Sequence, residues 1–130
     1  MGWINYNLDY EAQKLVLAAK KRDAKSLNQA FKMRETVAYG LERFWGEHLR
    51  LQDKEEAKSQ YWKETWKTLV AAMAVAGVKI PKDPVSKNNV ESVEGMAEQL
   101  WGLELNTQRV ALSVLTQLCD SLVWWTQRYK

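Results

Sequence analysis

The sequence predicts an all-α fold: a single-domain bundle of about five helices over residues 1–130, with the C-terminal helix at its centre. Apolar residues recur at i, i+3, i+4 and i+7 along most of the chain, which is the period of one helical face. Two prolines and six glycines in 130 residues are too few turn-forming residues for the many connections of an all-β protein. With 46% hydrophobic and 27% charged residues, the chain can enclose one core.

The last predicted helix covers residues 106–130, with Asn106 as its N-cap. Its apolar arc spans more than half the circumference, which is wider than a helix with one neighbour needs. We therefore expect other helices to surround it. Arg128 and Lys130 place positive charge at its carbonyl end, where the helix macrodipole favours cations. The apolar arc consists of Val110, Ala111, Leu112, Val114, Leu115, Leu118, Cys119, Leu122, Val123 and Trp125.

Two helices are predicted in the first part of the chain. The first is capped by Asp9 and runs to about Lys21. The second is capped by Ser26 and follows the helical period to His48, a length of about six turns. Gly40 lies inside this second helix, where a glycine marks a bend or close packing.

Two more helices are predicted before the last one. The third covers residues 54–76, because Asp53 and Glu56 have the spacing of a capping box and Gly77 is placed to end the helix. A basic loop follows over residues 78–89. The fourth helix opens at Asn88, includes Trp101 in its apolar stripe and ends at Gly102.

Charge is distributed unevenly along the chain. Residues 1–87 hold 16 Lys and Arg against 11 Asp and Glu, a net +5, whereas residues 88–130 hold 3 against 5, a net −2. A basic first part fits phosphate binding, although cations at a helix end also satisfy its macrodipole and lysines also serve as a solvated surface. The predicted nucleic-acid-binding residues are Lys20, Lys21, Arg22, Lys25, Lys32 and Arg34 around one helix junction, extended by Lys63 and Lys67.

Catalytic motifs are absent from the sequence. There is no glycine-rich phosphate loop, CxxC pair, HExxH, GxSxG or calcium loop. The single histidine, His48, is expected to be a half-exposed structural residue, and the single cysteine, Cys119, a buried inert thiol. Glu94 and Glu98 share a helical face but lack a histidine partner, so we interpret them as a solvated acidic face. We therefore expect a cytoplasmic protein that is not an enzyme and that has no metal, cofactor, signal peptide or membrane span.

The closing segment has the sequence LTQLCDSLVWWTQRYK. It resembles the last helix of the small subunits of multisubunit CRISPR effector complexes, which are Cascade-like complexes of type I-D or type III. The resemblance implies an all-helical subunit without catalytic groups. Such subunits stack as copies along the backbone subunits that hold the guide RNA, either as separate proteins or as the tail of the large subunit. They contact the target or displaced strand through Lys and Arg without reading its sequence.

Two other functions fit the sequence. Seven tryptophans exceed what a core of this size ordinarily needs, so a purely structural helical adaptor could use some of them to bind a partner without contacting nucleic acid. A sequence-specific helix-turn-helix DNA-binding protein is the other alternative, although the predicted helices are longer than that motif requires.

Overall fold

The computed structural model describes residues 7–81 and 88–130, and within them it contains helices and no strand, which confirms the all-α prediction. Two short 3-10 segments, Ala24–Asn28 and Val37–Tyr39, connect the first helices. The α-helices of the described residues are α1 (Leu8–Arg22), α2 (Gln29–Thr36), α3 (Leu41–Leu51), α4 (Glu56–Val75), α5 (Val90–Trp101) and α6 (Leu105–Tyr129).

Helix α6 is central, as the width of its apolar arc predicts. It packs against α1, α2, α3 and α4. Its side chains Val114, Leu115, Leu118, Cys119 and Leu122 are completely buried in one continuous hydrophobic core. A helix that is enclosed on several sides needs apolar residues around most of its circumference, and this explains the wide arc.

The predicted second helix over residues 26–48 is wrong, because the chain breaks it into a 3-10 turn, α2, a second 3-10 turn and α3. The break occurs at Gly40, whose φ of +97° and ψ of 174° lie in a region that is almost exclusive to glycine. The chain changes direction there, so that α2 packs on α6 while α3 packs on α4. The described part of the chain therefore has six α-helices instead of about five.

Several predicted caps shift by one or two residues. Asn7 caps α1 in place of Asp9, since its side chain accepts from the Tyr10 amide at 3.1 Å. Asn89 caps α5 in place of Asn88, and Glu104 precedes α6 in place of Asn106. Asn7 and Asn89 each form a side-chain cap bond, and the backbone path decides which of two neighbouring cap residues has the required geometry. Glu104 forms no side-chain cap bond.

The two ends of the predicted third helix have different outcomes. Glu56 accepts from the Asp53 amide at 3.4 Å, which is one half of the capping box, but α4 begins only at Glu56. The end at Gly77 is confirmed, because this residue has a φ of +79° and the Val78 amide donates to the Met73 carbonyl. Of the basic loop after it, Lys82 and Lys87 lie outside the described residues.

We predict that Leu118→Ala lowers the free energy of unfolding by about 2–5 kcal/mol, because Leu118 is fully enclosed and its truncation leaves a cavity. Urea denaturation measures the change. Leu105→Ala is the matched control, since this leucine of the same helix is 61% exposed and should change stability by only about 0.5 kcal/mol. Similar small losses in both variants would contradict the central position of α6.

We also predict opposite effects of alanine at two glycines. Gly40→Ala should destabilise the fold by about 1–3 kcal/mol, because its backbone conformation strains any side chain even though no atom lies within 4 Å of an added Cβ. Gly95→Ala, inside α5 and equally free of neighbours, should stabilise by about 1 kcal/mol through helix propensity. Thermal unfolding checks both, and a Gly40→Ala protein as stable as the wild type would contradict the requirement for glycine at the break between α2 and α3.

Candidate nucleic-acid interface

The candidate interface lies at the junction between α1 and α2. The end of α1 carries three successive cations, and the 3-10 turn after it reverses the chain. Asp23 caps this turn by accepting from the Lys25 amide at 3.0 Å, and the buried Ser26 hydroxyl donates to the Asp23 carbonyl at 2.7 Å. These bonds hold the junction in one conformation, so its lysines are presented from a defined backbone.

Three of the predicted cations are bound within the protein. Lys20 Nζ donates to the carbonyl of Tyr129 at 2.7 Å, at the end of α6. Arg22 lies 3.0 Å from a Glu64 carboxylate oxygen on α4. The third, Arg34, donates to Asp120 on α6 at 2.7 Å. These contacts join α1 and α2 to their neighbours, so the three cations present less free charge to a ligand.

Three other predicted lysines at the junction are exposed. Lys21, Lys25 and Lys32 form no ion pair with another described residue. We call these three lysines the basic junction. Lys32 also lies near the turn between α3 and α4, where the pKa of Glu55 is lowered mainly by its hydrogen bond from Lys58 and to a smaller extent by Lys32. The basic junction is therefore the part of the predicted surface with the most available positive charge.

Lys63 and Lys67 lie on α4, with different surroundings. Lys67 is exposed and is one helical turn from Glu64, the residue that binds Arg22, so the end of α1 approaches this part of α4. Lys63 is partly buried, and its charge contributes to lowering the pKa of His48 on α3. Lys67 thus lies one turn from the Arg22–Glu64 pair, and Lys63 is close enough to α3 for its charge to act on His48.

His48 is more buried than its predicted half-exposed position, with 5% of its surface accessible. Its Nδ1–H donates to the Trp45 carbonyl, 2.5 Å away. Burial lowers the imidazole pKa, the hydrogen bond to Trp45 acts in the opposite direction, and the charge of Lys63 lowers the pKa further. His48 is therefore neutral at pH 7, because its imidazole is desolvated between α3 and α4.

Cys119 is buried, as expected, and burial raises the pKa of its thiol, which keeps the sulfur protonated. Within residues 7–81 and 88–130, no three His, Cys, Asp or Glu side chains are grouped closely enough to hold a metal ion. None of the helices in these two ranges combines the length and the apolar character that crossing a membrane requires.

The sequence interpretation missed an exposed aromatic pair. Trp101 was placed in the apolar stripe of its helix, but 67% of its surface is accessible, and Tyr39 is 70% exposed. Both residues line a cleft of about 290 Å³ between the start of α3 and the end of α5. The sequence signal for this exposure was the position of Trp101 directly before Gly102. A side chain at the end of a helix extends beyond the part of the helix that packs on the core.

We predict that the free energy of unfolding falls as the pH is lowered from 7 to 5.5, partly through His48. Its pKa in the folded protein lies below the unfolded value of about 6.5, so the unfolded chain binds the proton first and stability is lost through that window. Urea denaturation across the pH range, on the wild type and on His48→Asn, measures the effect. An equal pH slope in both proteins would show that His48 titrates normally.

Comparisons of the chain with protein-family models, with curated proteins and with solved structures find no match.

Proposed function

We propose that the chain is a non-catalytic nucleic-acid-binding protein that neutralises phosphates through the basic junction. The observation that carries this proposal is the exposure of Lys21, Lys25 and Lys32 without an ion pair to another described residue. Lys67, which is exposed and one helical turn from the Glu64 that binds Arg22, is a further cation of the predicted set.

Phosphate neutralisation by lysines has two consequences. Counterions are released from the nucleic acid on binding, so the affinity falls steeply as the salt concentration rises. Ammonium groups act as point charges and carry no base code, so binding is indifferent to sequence. This chemistry suits a protein that holds a strand while another component reads its sequence.

The resemblance of residues 115–130 supports a more specific setting. In this setting, the chain is a cytoplasmic small subunit of an RNA-guided CRISPR effector complex. It contacts the backbone and large subunits and other copies of itself. It holds the target or displaced strand while guide pairing supplies specificity. The segment that carries the resemblance includes Leu115, Leu118 and Leu122, which are core residues and not part of the basic junction. Membership of such a complex is therefore a separate proposal from phosphate binding.

A structural adaptor is the second candidate function. Large apolar side chains are exposed at several positions, including Tyr10, Tyr39, Trp101 and Trp124. Amphipathic aromatic residues are enriched at protein interfaces. In an adaptor, the lysines of the basic junction would only keep the surface solvated, and the aromatic residues would bind a protein.

Fluorescence anisotropy with labelled single-stranded and duplex oligonucleotides of unrelated sequence, at several salt concentrations, tests the first proposal. The triple variant Lys21→Gln, Lys25→Gln and Lys32→Gln should weaken binding equally for all sequences. It should also make the log–log salt dependence shallower by about one unit for each lost contact. Arg109→Gln is the control, because it removes one exposed cation from the acidic part of the chain.

The outcomes separate the two functions. Loss of affinity in the triple variant but not in Arg109→Gln assigns binding to the basic junction. An unchanged affinity and salt slope in a folded triple variant would remove the junction from the mechanism. No binding of any oligonucleotide by the wild type at low salt would favour the adaptor.

A further inference from the structure

Helix α5 presents a surface of opposite charge. Residues 88–108 contain four glutamates and no lysine or arginine. Glu91, Glu94 and Glu98 follow one another at three- and four-residue spacing, so they share one face of the helix, and all three are exposed. Met96 and Leu100 on the other side are buried, and α5 packs on α3. The acidic face is therefore the uncovered side of this helix.

An aromatic cleft lies at the end of the acidic face. Tyr39 and Trp101 line it together with Glu42 and Gln108. Gln108 of α6 donates to the Leu103 carbonyl at 2.8 Å and to the Trp101 carbonyl at 3.3 Å. These two bonds hold the turn between α5 and α6, so the backbone that carries the exposed indole is fixed in position.

A second, more apolar cleft lies farther along the seam between α3 and α5. It has a volume of about 370 Å³ and is lined by Trp45, Leu49, Val90 and Val93. Glu42 lines both clefts, which places them consecutively along the seam. Together they form one surface with an apolar site, an aromatic site and a carboxylate between them.

Carboxylates outnumber cations on the two helices that form this seam. Arg50 is bound by Glu47 at 2.9 Å, and Arg43 lies over the Tyr39 ring, 5.3 Å from its centroid. These are the two cations that line the clefts, and Glu42 is the carboxylate that lines both. Glu47 and the three exposed glutamates of α5 lie on the same two helices, which gives five carboxylates against two guanidinium groups. Aromatic rings next to a carboxylate bind guanidinium and ammonium groups through cation–π and charge-assisted hydrogen bonds.

We infer that the seam between α3 and α5 is a docking surface for a basic, amphipathic segment of a partner protein. One apolar side chain of that segment occupies the cleft of Trp45 and Val93. One arginine or lysine lies in the aromatic cleft against Glu42 and the exposed ring of Trp101, since Arg43 already covers Tyr39. Further cations face the glutamates of α5. Apolar anchors flanked by complementary charge are the usual anatomy of a peptide groove. None of these residues belongs to the basic junction, so the inference is independent of nucleic-acid binding.

Synthetic peptides containing one leucine and two arginines at varied spacing test the inference, with matched peptides in which citrulline replaces arginine. Fluorescence anisotropy should detect arginine peptides that bind more tightly than their citrulline counterparts. Trp101→Ala and the double variant Glu94→Gln, Glu98→Gln should each weaken this binding, the former by at least about tenfold. Trp124→Ala is the control, because it removes an indole that is 57% exposed on α6, away from the lining of both clefts.

Three results would overturn the inference. The first is that no arginine peptide binds more tightly than its citrulline form. The second is an equal loss of binding in Trp124→Ala and Trp101→Ala proteins that circular dichroism shows to be folded. The third is self-association in sedimentation that Trp101→Ala abolishes, which would identify a second copy of this chain as the occupant of the seam.

Discussion

The burial of α6 is the constraint on which the rest of the structure depends. Leu115, Leu118 and Leu122 of this helix are fully enclosed, and each would otherwise expose apolar surface with an unfavourable free energy of about 1.5–3 kcal/mol. No single neighbour covers an arc of this width, so α1, α2, α3 and α4 all pack against it. The outer faces of these helices are then left to polar residues, and their charges define the surfaces of the protein.

The α1–α2 junction shows how one cationic segment serves two purposes. Lys20 and Lys21 are adjacent, but the helical period separates their directions by about 100°. Lys20 therefore reaches the carbonyl end of α6, where a cation is favoured by the helix dipole, whereas Lys21 extends into solvent. The paired cations orient the junction, and the unpaired lysines make it a candidate for phosphate binding.

Tryptophan use follows the same division between core and surface. Trp45 of α3 and Trp62 and Trp66 of α4 are buried, and the indole nitrogen of Trp62 donates to the buried Gln29 side chain at 2.8 Å. The polar atom of this large side chain is thus satisfied inside the core. Trp101 lies on the acidic side of the molecule instead, where its exposed ring is open to a protein partner.

Periodicity and composition determined the all-α class, the central α6, the stop at Gly77 and the burial of Cys119, since all of these depend on neighbours within a few helical turns. Gly40 was predicted to mark a bend or close packing inside one helix, because apolar spacing continues through it. Only the packing of α2 and α3 on different helices selects a full break with a positive φ at this residue. The sequence predicted six cations around one helix junction, but it contained no local signal for which of them are paired. Their partners are 109 residues away for Lys20 and 86 for Arg34, so only the tertiary structure decided which charges remain free.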